Sequence, residues 1–95
     1  MITLSGTLIC QPEDLAMVQT MLPEHIRLSR AEPGCVMFQV VADRCDPCRF
    51  LLAERYVDAA ALEFHRARGR ASAWGQATAH IPRDIHVADL PVGPA

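Results

Sequence analysis

Arg30-Ala31-Glu32-Pro33-Gly34-Cys35-Val36-Met37-Phe38-Gln39-Val40-Val41-Ala42, and after Asp46-Pro47 the run Arg49-Phe50-Leu51-Leu52-Ala53-Glu54-Arg55-Tyr56-Val57, is the stretch that decides the fold. Pro33-Gly34 stops a helix and turns the chain, since proline cannot continue a helix and glycine tolerates a turn. Val36, Phe38 and Val40 then alternate with Cys35, Met37 and Gln39, and beyond the polar turn Phe50, Leu52, Glu54 and Tyr56 alternate with Leu51, Ala53 and Val57. Period-two patterning on both sides of a turn predicts a β-hairpin, with strands over 35–42 and 49–57. Asp58 is a suitable N-cap for a helix over 59–67 that carries His65. A carboxylate, Glu54, thus stands on a strand and an imidazole on the next helix, where both can face one cavity.

Working outward, residues 2–10 read as a first strand, with Ile2, Leu4 and Gly6 on one side and Thr3, Ser5 and Thr7 on the other. Gln11-Pro12-Glu13-Asp14 is a helix start, because proline suits the first turn and acids complement the N-terminal dipole. Leu15, Val18, Leu22 and Ile26 form a stripe at helical spacing, with His25 and Ser29 at its edge. Pro23 predicts a kink or a restarted helix within it. Gly69 is expected to end or bend the helix of His65, with a second short helix over Arg70–His80 containing Trp74. After Pro82, Ile85, Val87 and Asp89 alternate with His86, Ala88 and Leu90 as a last strand. The order is β-α-β-β-α-β, an α+β, ferredoxin-like arrangement of an antiparallel sheet with helices on one face. Residues 1–90 are read as one domain and Pro91–Ala95 as a loose tail.

Ninety-five residues leave no room for a second core, and a chain this short buries only about 60–65% of its unfolded surface. Half its residues are apolar, and Met37, Val41, Leu51 and Val57 fall on the sheet face turned away from the helices. A second copy covering that face is the expected partner, giving a homodimer. The net charge of −2 gives no footprint for nucleic acid. All nine basic residues are arginine, which we read as a compositional bias of the genome. Met1-Ile2-Thr3-Leu4 leads straight into a strand pattern, without the charged and apolar regions of a signal peptide. No apolar run is long enough to span a membrane. The expected location is the cytoplasm, with reduced cysteines.

Few side chains are equipped for chemistry. His65 shares its helix with Ala61, Leu62 and Phe64 and points toward the sheet. It is either a packed core histidine or a group that takes a proton from a phenol or holds an oxyanion. Glu54 lies on an otherwise apolar strand face, so it needs a partner, either an arginine or His65. His25, Tyr56 and Trp74 are suited to lining a pocket for a flat aromatic ligand, although core packing accounts for each as well. Cys45-Asp46-Pro47-Cys48 has the spacing of half a zinc site or a redox pair, but it spans a hairpin turn and lacks a second pair of ligands, so no metal is expected. A reversible disulfide across that turn remains open. Arg66, Arg68 and Arg70 are either a solvated helix face or a clamp for an acidic ligand. His80 and His86 read as surface residues. Fingerprints for flavin, nicotinamide or phosphate binding are absent, and no cofactor is expected.

The Glu32-Pro33-Gly34-Cys35 turn, the strand ending at Glu54 and Tyr56, and Ala60-Ala61-Leu62 leading to His65 resemble the antibiotic biosynthesis monooxygenase (ABM) family, over most of residues 2–90. What that resemblance implies is a dimeric α/β-barrel protein acting as a cofactor-independent monooxygenase on a small aromatic quinol or polyphenol. In that reading His65 is base or oxyanion partner, Glu54 orients it, and His25, Tyr56 and Trp74 line the pocket. Haem-degrading members of the family use an asparagine, and this chain has none. Two alternatives stand beside it: a non-catalytic ligand-binding or structural dimer on the same scaffold, and a thiol or metal module at Cys45 and Cys48.

Overall fold

A computed structural model describes residues 1–90; the tail expected at Pro91–Ala95 lies outside the described residues. Strand β1 (Ile2–Ile9) is followed by a 3-10 turn (Pro12–Asp14) and helix α1 (Leu15–Arg30). The hairpin β2 (Cys35–Ala42) and β3 (Arg49–Tyr56) comes next, then α2 (Ala59–Ala71), α3 (Ala73–Ala77) and β4 (Arg83–Asp89). The four strands form one antiparallel sheet in the order β2-β3-β1-β4. This is the ferredoxin-like α+β arrangement, and within one chain the sheet is open.

The register decides which side chains meet the helices. Ile2, Leu4, Gly6 and Leu8 stand opposite Tyr56, Glu54, Leu52 and Phe50, so this whole set shares the helix-facing side. The hairpin departs from simple alternation at one place. Between Cys35 and Met37 the pairing slips by one residue, so Cys35 opposes Tyr56 and Phe38 opposes Glu54. That bulge puts Cys35, Phe38 and Val40 inward and leaves Val36 exposed.

Helix α1 buries Val18, Leu22, His25 and Ser29, a stripe at spacings of four, three and four residues. The burial centre therefore lies on His25 and Ser29, and Leu15 and Ile26 are its half-buried flanks. Pro23 neither ends nor restarts α1. It sits on the exposed side, where water can take the carbonyl its missing N–H leaves unbonded. The second helical break also falls elsewhere than Gly69, which lies inside α2. The break is at Ser72, whose Oγ accepts from the Gly75 N–H (3.0 Å) and donates to the Gly69 carbonyl (2.7 Å). One hydroxyl thus closes α2 and caps α3.

Two groups of buried side chains lie between sheet and helices. The larger holds Leu8, Val18, Leu22, Phe38, Val40, Phe50, Trp74 and Ile81; the smaller holds Ile2, Leu4, Tyr56 and Leu62. The polar residues between them form the site. Among the described residues no helix is long and apolar enough to cross a membrane.

Candidate active site

The Glu32–Cys35 turn brings a carboxylate into the interior. The Cys35 N–H bonds the Glu32 carbonyl (3.1 Å), and the Val57 N–H bonds the Gly34 carbonyl (3.0 Å), tying the turn to the end of β3. Gly34 is required by close approach. A Cβ there would stand 2.3 Å from the Ala61 Cβ on α2. Because the turn can press against α2, the Glu32 side chain reaches the inward face of that helix.

On that face His65 and Arg68, one turn apart, share Glu32. Arg68 Nε donates to Glu32 Oε2, and His65 Nδ1 is 3.1 Å from both carboxylate oxygens. Arg68 Nη2 also donates to Ser29 Oγ at 2.9 Å. Arginine offers only donors, so Glu32 beside it acts as acceptor. The proton between Glu32 and the imidazole then belongs on Nδ1, and Nε2 of the neutral ring carries the lone pair. Nε2 points toward Glu54, with Oε1 at 3.7 Å, too long for a direct hydrogen bond. Glu54 Oε1 instead accepts from the Tyr56 hydroxyl at 2.6 Å.

His65 and Glu54 are therefore brought together as expected, but Glu54 does not orient the ring through Nδ1; that position belongs to Glu32. Burial pushes the Glu54 carboxyl above the usual carboxylate range, against the opposing pull of the Tyr56 hydroxyl and His65. Burial, and then Glu54 itself, push the Tyr56 phenol up strongly, so it remains a donor.

Glu54 and His65 stand on the wall of a cavity of about 500 Å³ between the sheet and helices α2 and α3. Leu4, Leu8, Phe38 and Leu52 supply its sheet side. His25 and Trp74 also line it, stacked with ring centres 5.0 Å apart and planes at 15°. Phe38 meets His25 edge-on. His25 is 8% exposed, and its Nδ1 has no hydrogen-bond partner. Its pKa is lowered to about 3, first by burial and then by the neighbouring His65, Arg68 and Arg83, so the ring stays neutral.

Tyr56 is placed differently from the pocket-lining position read from sequence. Its ring is fully buried behind His65, with centres 5.2 Å apart, and it does not reach the cavity. Arg66, Arg70 and Arg83 also line the cavity. Arg83 is anchored by the Thr78 and Ile81 carbonyls and the Thr78 hydroxyl, and Arg66 pairs with Glu63. Phe64, the neighbour of His65 on α2, is 57% exposed. His80 and His86 are on the surface, His80 bonded to Asp14.

The residue that sequence reading left without a role is Glu32. A signal for it existed. His65 and Arg68 occupy one helix face, and two donors buried together require an acceptor.

The sequence profile of the antibiotic biosynthesis monooxygenase family matches residues 1–77. The chain belongs to this family. Solved structures agree in fold. A Bacteroides thetaiotaomicron protein assigned to antibiotic biosynthesis monooxygenases is 30% identical, aligns over 99% of this chain and 90% of its own, and superposes with a TM-score of 0.77. One from Deinococcus radiodurans, with the same assignment, is 24% identical over 100% and 97% of the two chains, with a TM-score of 0.78. One from Nitrosomonas europaea is 19% identical over 96% and 99%, with a TM-score of 0.80. No curated protein sequence matches the chain. In this ABM chain the turn at Glu32–Cys35 is the segment that delivers the carboxylate to His65.

Proposed function

We propose that this ABM protein is a cofactor-independent monooxygenase that oxidises a small electron-rich aromatic, a quinol or polyphenol, with molecular oxygen. The observation that carries the reading is the buried line Glu32–His65–Glu54 ending on an apolar cavity of aromatic size. A ring held through Nδ1 by a carboxylate offers its Nε2 lone pair to the cavity, the arrangement a general base needs. A phenolic hydroxyl placed between His65 Nε2 and Glu54 gives up its proton to Nε2. The anion then reduces dioxygen and combines with it at a ring carbon, and the peroxy adduct loses water to leave a quinone. Both electron pairs come from the substrate; one oxygen atom ends in the quinone and the other in water. Arg66, Arg70 and Arg83 favour the anion over the neutral phenol by their charge. The flat walls of His25, Trp74 and Phe38 orient the ring and exclude water.

The test is oxygen uptake with a quinol panel, run beside thermal melting on the same preparation. His65→Ala is expected to lower turnover by about 10²–10⁴-fold while the protein stays folded. A folded variant with unchanged turnover removes His65 from the mechanism. Saturable binding of quinols without oxygen uptake in the wild type supports the ligand-binding dimer instead.

The working unit is proposed to be a homodimer closed across the outer sheet face. Ile9, Val41 and Leu51 are exposed there at 46%, 57% and 38%. Burying such side chains stabilises by roughly 25 cal/mol per Å² of apolar surface. Sizing with light scattering at micromolar concentration should give twice the chain mass, and a monomer would overturn the assignment.

A further inference from the structure

The cysteines fall into an arrangement that the proposed oxygenase chemistry does not use. Ile9 on β1 pairs with Arg49 on β3, and one step further along the same ladder Cys10 stands opposite Cys48. The Cys10 N–H donates to the Cys48 carbonyl at 2.9 Å, so the ladder continues through this pair. Directly opposed residues of an antiparallel pair have Cα atoms roughly 4.5–5.5 Å apart, inside the span a disulfide bridges. Both side chains turn the same way. Cys10 is a member of the larger core group, and Cys48 packs against that group. Cys45 is exposed at the tip of the turn. Two side-chain caps keep it there: Asp43 Oδ1 accepts from the Cys45 N–H (2.8 Å) and Asp46 Oδ1 from the Cys48 N–H (3.0 Å). The Arg49–Asp43 bridge at 2.8 Å closes the loop around them.

We propose that Cys10 and Cys48 form a redox-modification site, in which peroxide closes a disulfide between β1 and the start of β3. Cys48 is half-buried at the surface end of the pair, and Cys10 is 3% exposed behind it. The Cys48 thiolate attacks hydrogen peroxide, taking one oxygen to become a sulfenic acid and releasing hydroxide, which a proton converts to water. The Cys10 sulfur then attacks the Cys48 sulfur, the S–O bond breaks, and the second oxygen leaves as water. Two thiols are oxidised and one peroxide is reduced to two waters. Burial, with Cys48 beside it, raises the Cys10 thiol, so Cys10 resolves the sulfenic acid and is not the first group oxidised. The Cys-x-x-Cys spacing suggests the opposite pairing, Cys45 with Cys48, but the ladder directs Cys48 inward to Cys10.

The bond would join two segments that both support the cavity. Leu8 on β1 lines it, and the core group containing Cys10 includes Phe38, Val40 and Trp74, three more of its walls. Oxidation would therefore stiffen that end of the pocket without touching His65 or Glu54.

Full-length protein is treated with a small excess of hydrogen peroxide, alkylated without reduction, digested and mapped by mass spectrometry. The expected product is one Cys10–Cys48 crosslinked peptide, two hydrogens lighter than the reduced pair and removed by dithiothreitol. Cys45→Ser should leave that crosslink at wild-type yield, whereas Cys48→Ser and Cys10→Ser should each abolish it. A wild-type map containing only Cys45–Cys48, or only sulfinic acid at Cys48, overturns the proposal. None of these readouts depends on the oxygenase reading, which stands or falls on turnover.

Discussion

Replacing Glu32 by glutamine changes one oxygen into an NH₂ group and should disable His65 without moving it. Arg68 has donors only, so it takes the remaining amide oxygen at the Oε2 position. The NH₂ group then occupies the Oε1 position, 3.1 Å from His65 Nδ1, and it too is a donor. Nδ1 then lies 3.1 Å from a donor as well as from the amide oxygen that Arg68 already occupies, which draws the ring proton toward Nε2 and withdraws the lone pair that faced the cavity. Loss of a positioned base is worth about 10²–10⁴ in turnover. The stability cost is smaller. The guanidinium keeps one charge-assisted partner in place of a carboxylate, and its side chain is 23% exposed, so about 1–3 kcal/mol is expected. For a chain of this size that lowers Tm by on the order of 10 °C. The assay pairs oxygen uptake on a quinol with nitrogen NMR of the histidine ring, which distinguishes the Nδ1–H from the Nε2–H form. A Glu32→Gln protein with wild-type turnover, or one whose His65 keeps its proton on Nδ1, refutes the assignment of Glu32 as the group that sets the ring.

Glu54→Gln should lower turnover less than Glu32→Gln does, because the amide oxygen can still accept from Tyr56 and Nδ1 stays bonded to Glu32. Burial raises the Glu54 pKa, so this group favours the fold at low pH and costs stability as pH rises through its folded value; the Tm of Glu54→Gln relative to wild type should therefore climb between acid and neutral pH. A Tm difference that does not vary with pH contradicts the raised carboxyl. His25 works in the other direction. With a folded pKa of about 3 against an ordinary 6.5, its neutral form supports the fold above about pH 6.5, and that support is lost as pH falls toward 3, at about 1.4 kcal/mol per pH unit. His25→Phe should flatten the acid limb of stability measured by urea titration at several pH values, and it also removes the unpartnered Nδ1.

Strands were the most legible part of the sequence because period two is local. Cys35–Ala42 emerges as read, and β3 ends at Tyr56, one residue short of the expected 49–57 strand. What local period could not carry was the bulge after Cys35, which turns Val36 outward, and the centre of the α1 stripe, which a stacked Trp74 and the site draw onto His25. Propensity points to an end or a bend of the helix at Gly69, yet a hydroxyl at Ser72 that satisfies two backbone groups fixes the break between α2 and α3.

The site divides along the same line. His65 and Glu54 were legible because each sits on a regular element whose inward face can be counted. Glu32 was not, because its direction depends on Gly34 meeting Ala61, a contact across 27 residues of chain. Ring chemistry alone points Tyr56 to pocket lining, but its inward position next to Glu54 makes it the carboxyl's hydrogen-bond donor. A turn in which every residue has a job is hard to read one residue at a time: Pro33 ends the helix, Gly34 permits the approach, and Glu32 is what the approach delivers. The family resemblance rested on this same turn, and the geometry supplies its physical content. Without the close passage at Gly34, Arg68 would keep only the Ser29 hydroxyl, His65 Nδ1 would face the interior with no acceptor, and the cavity would lose the one feature that gives His65 Nε2 its lone pair.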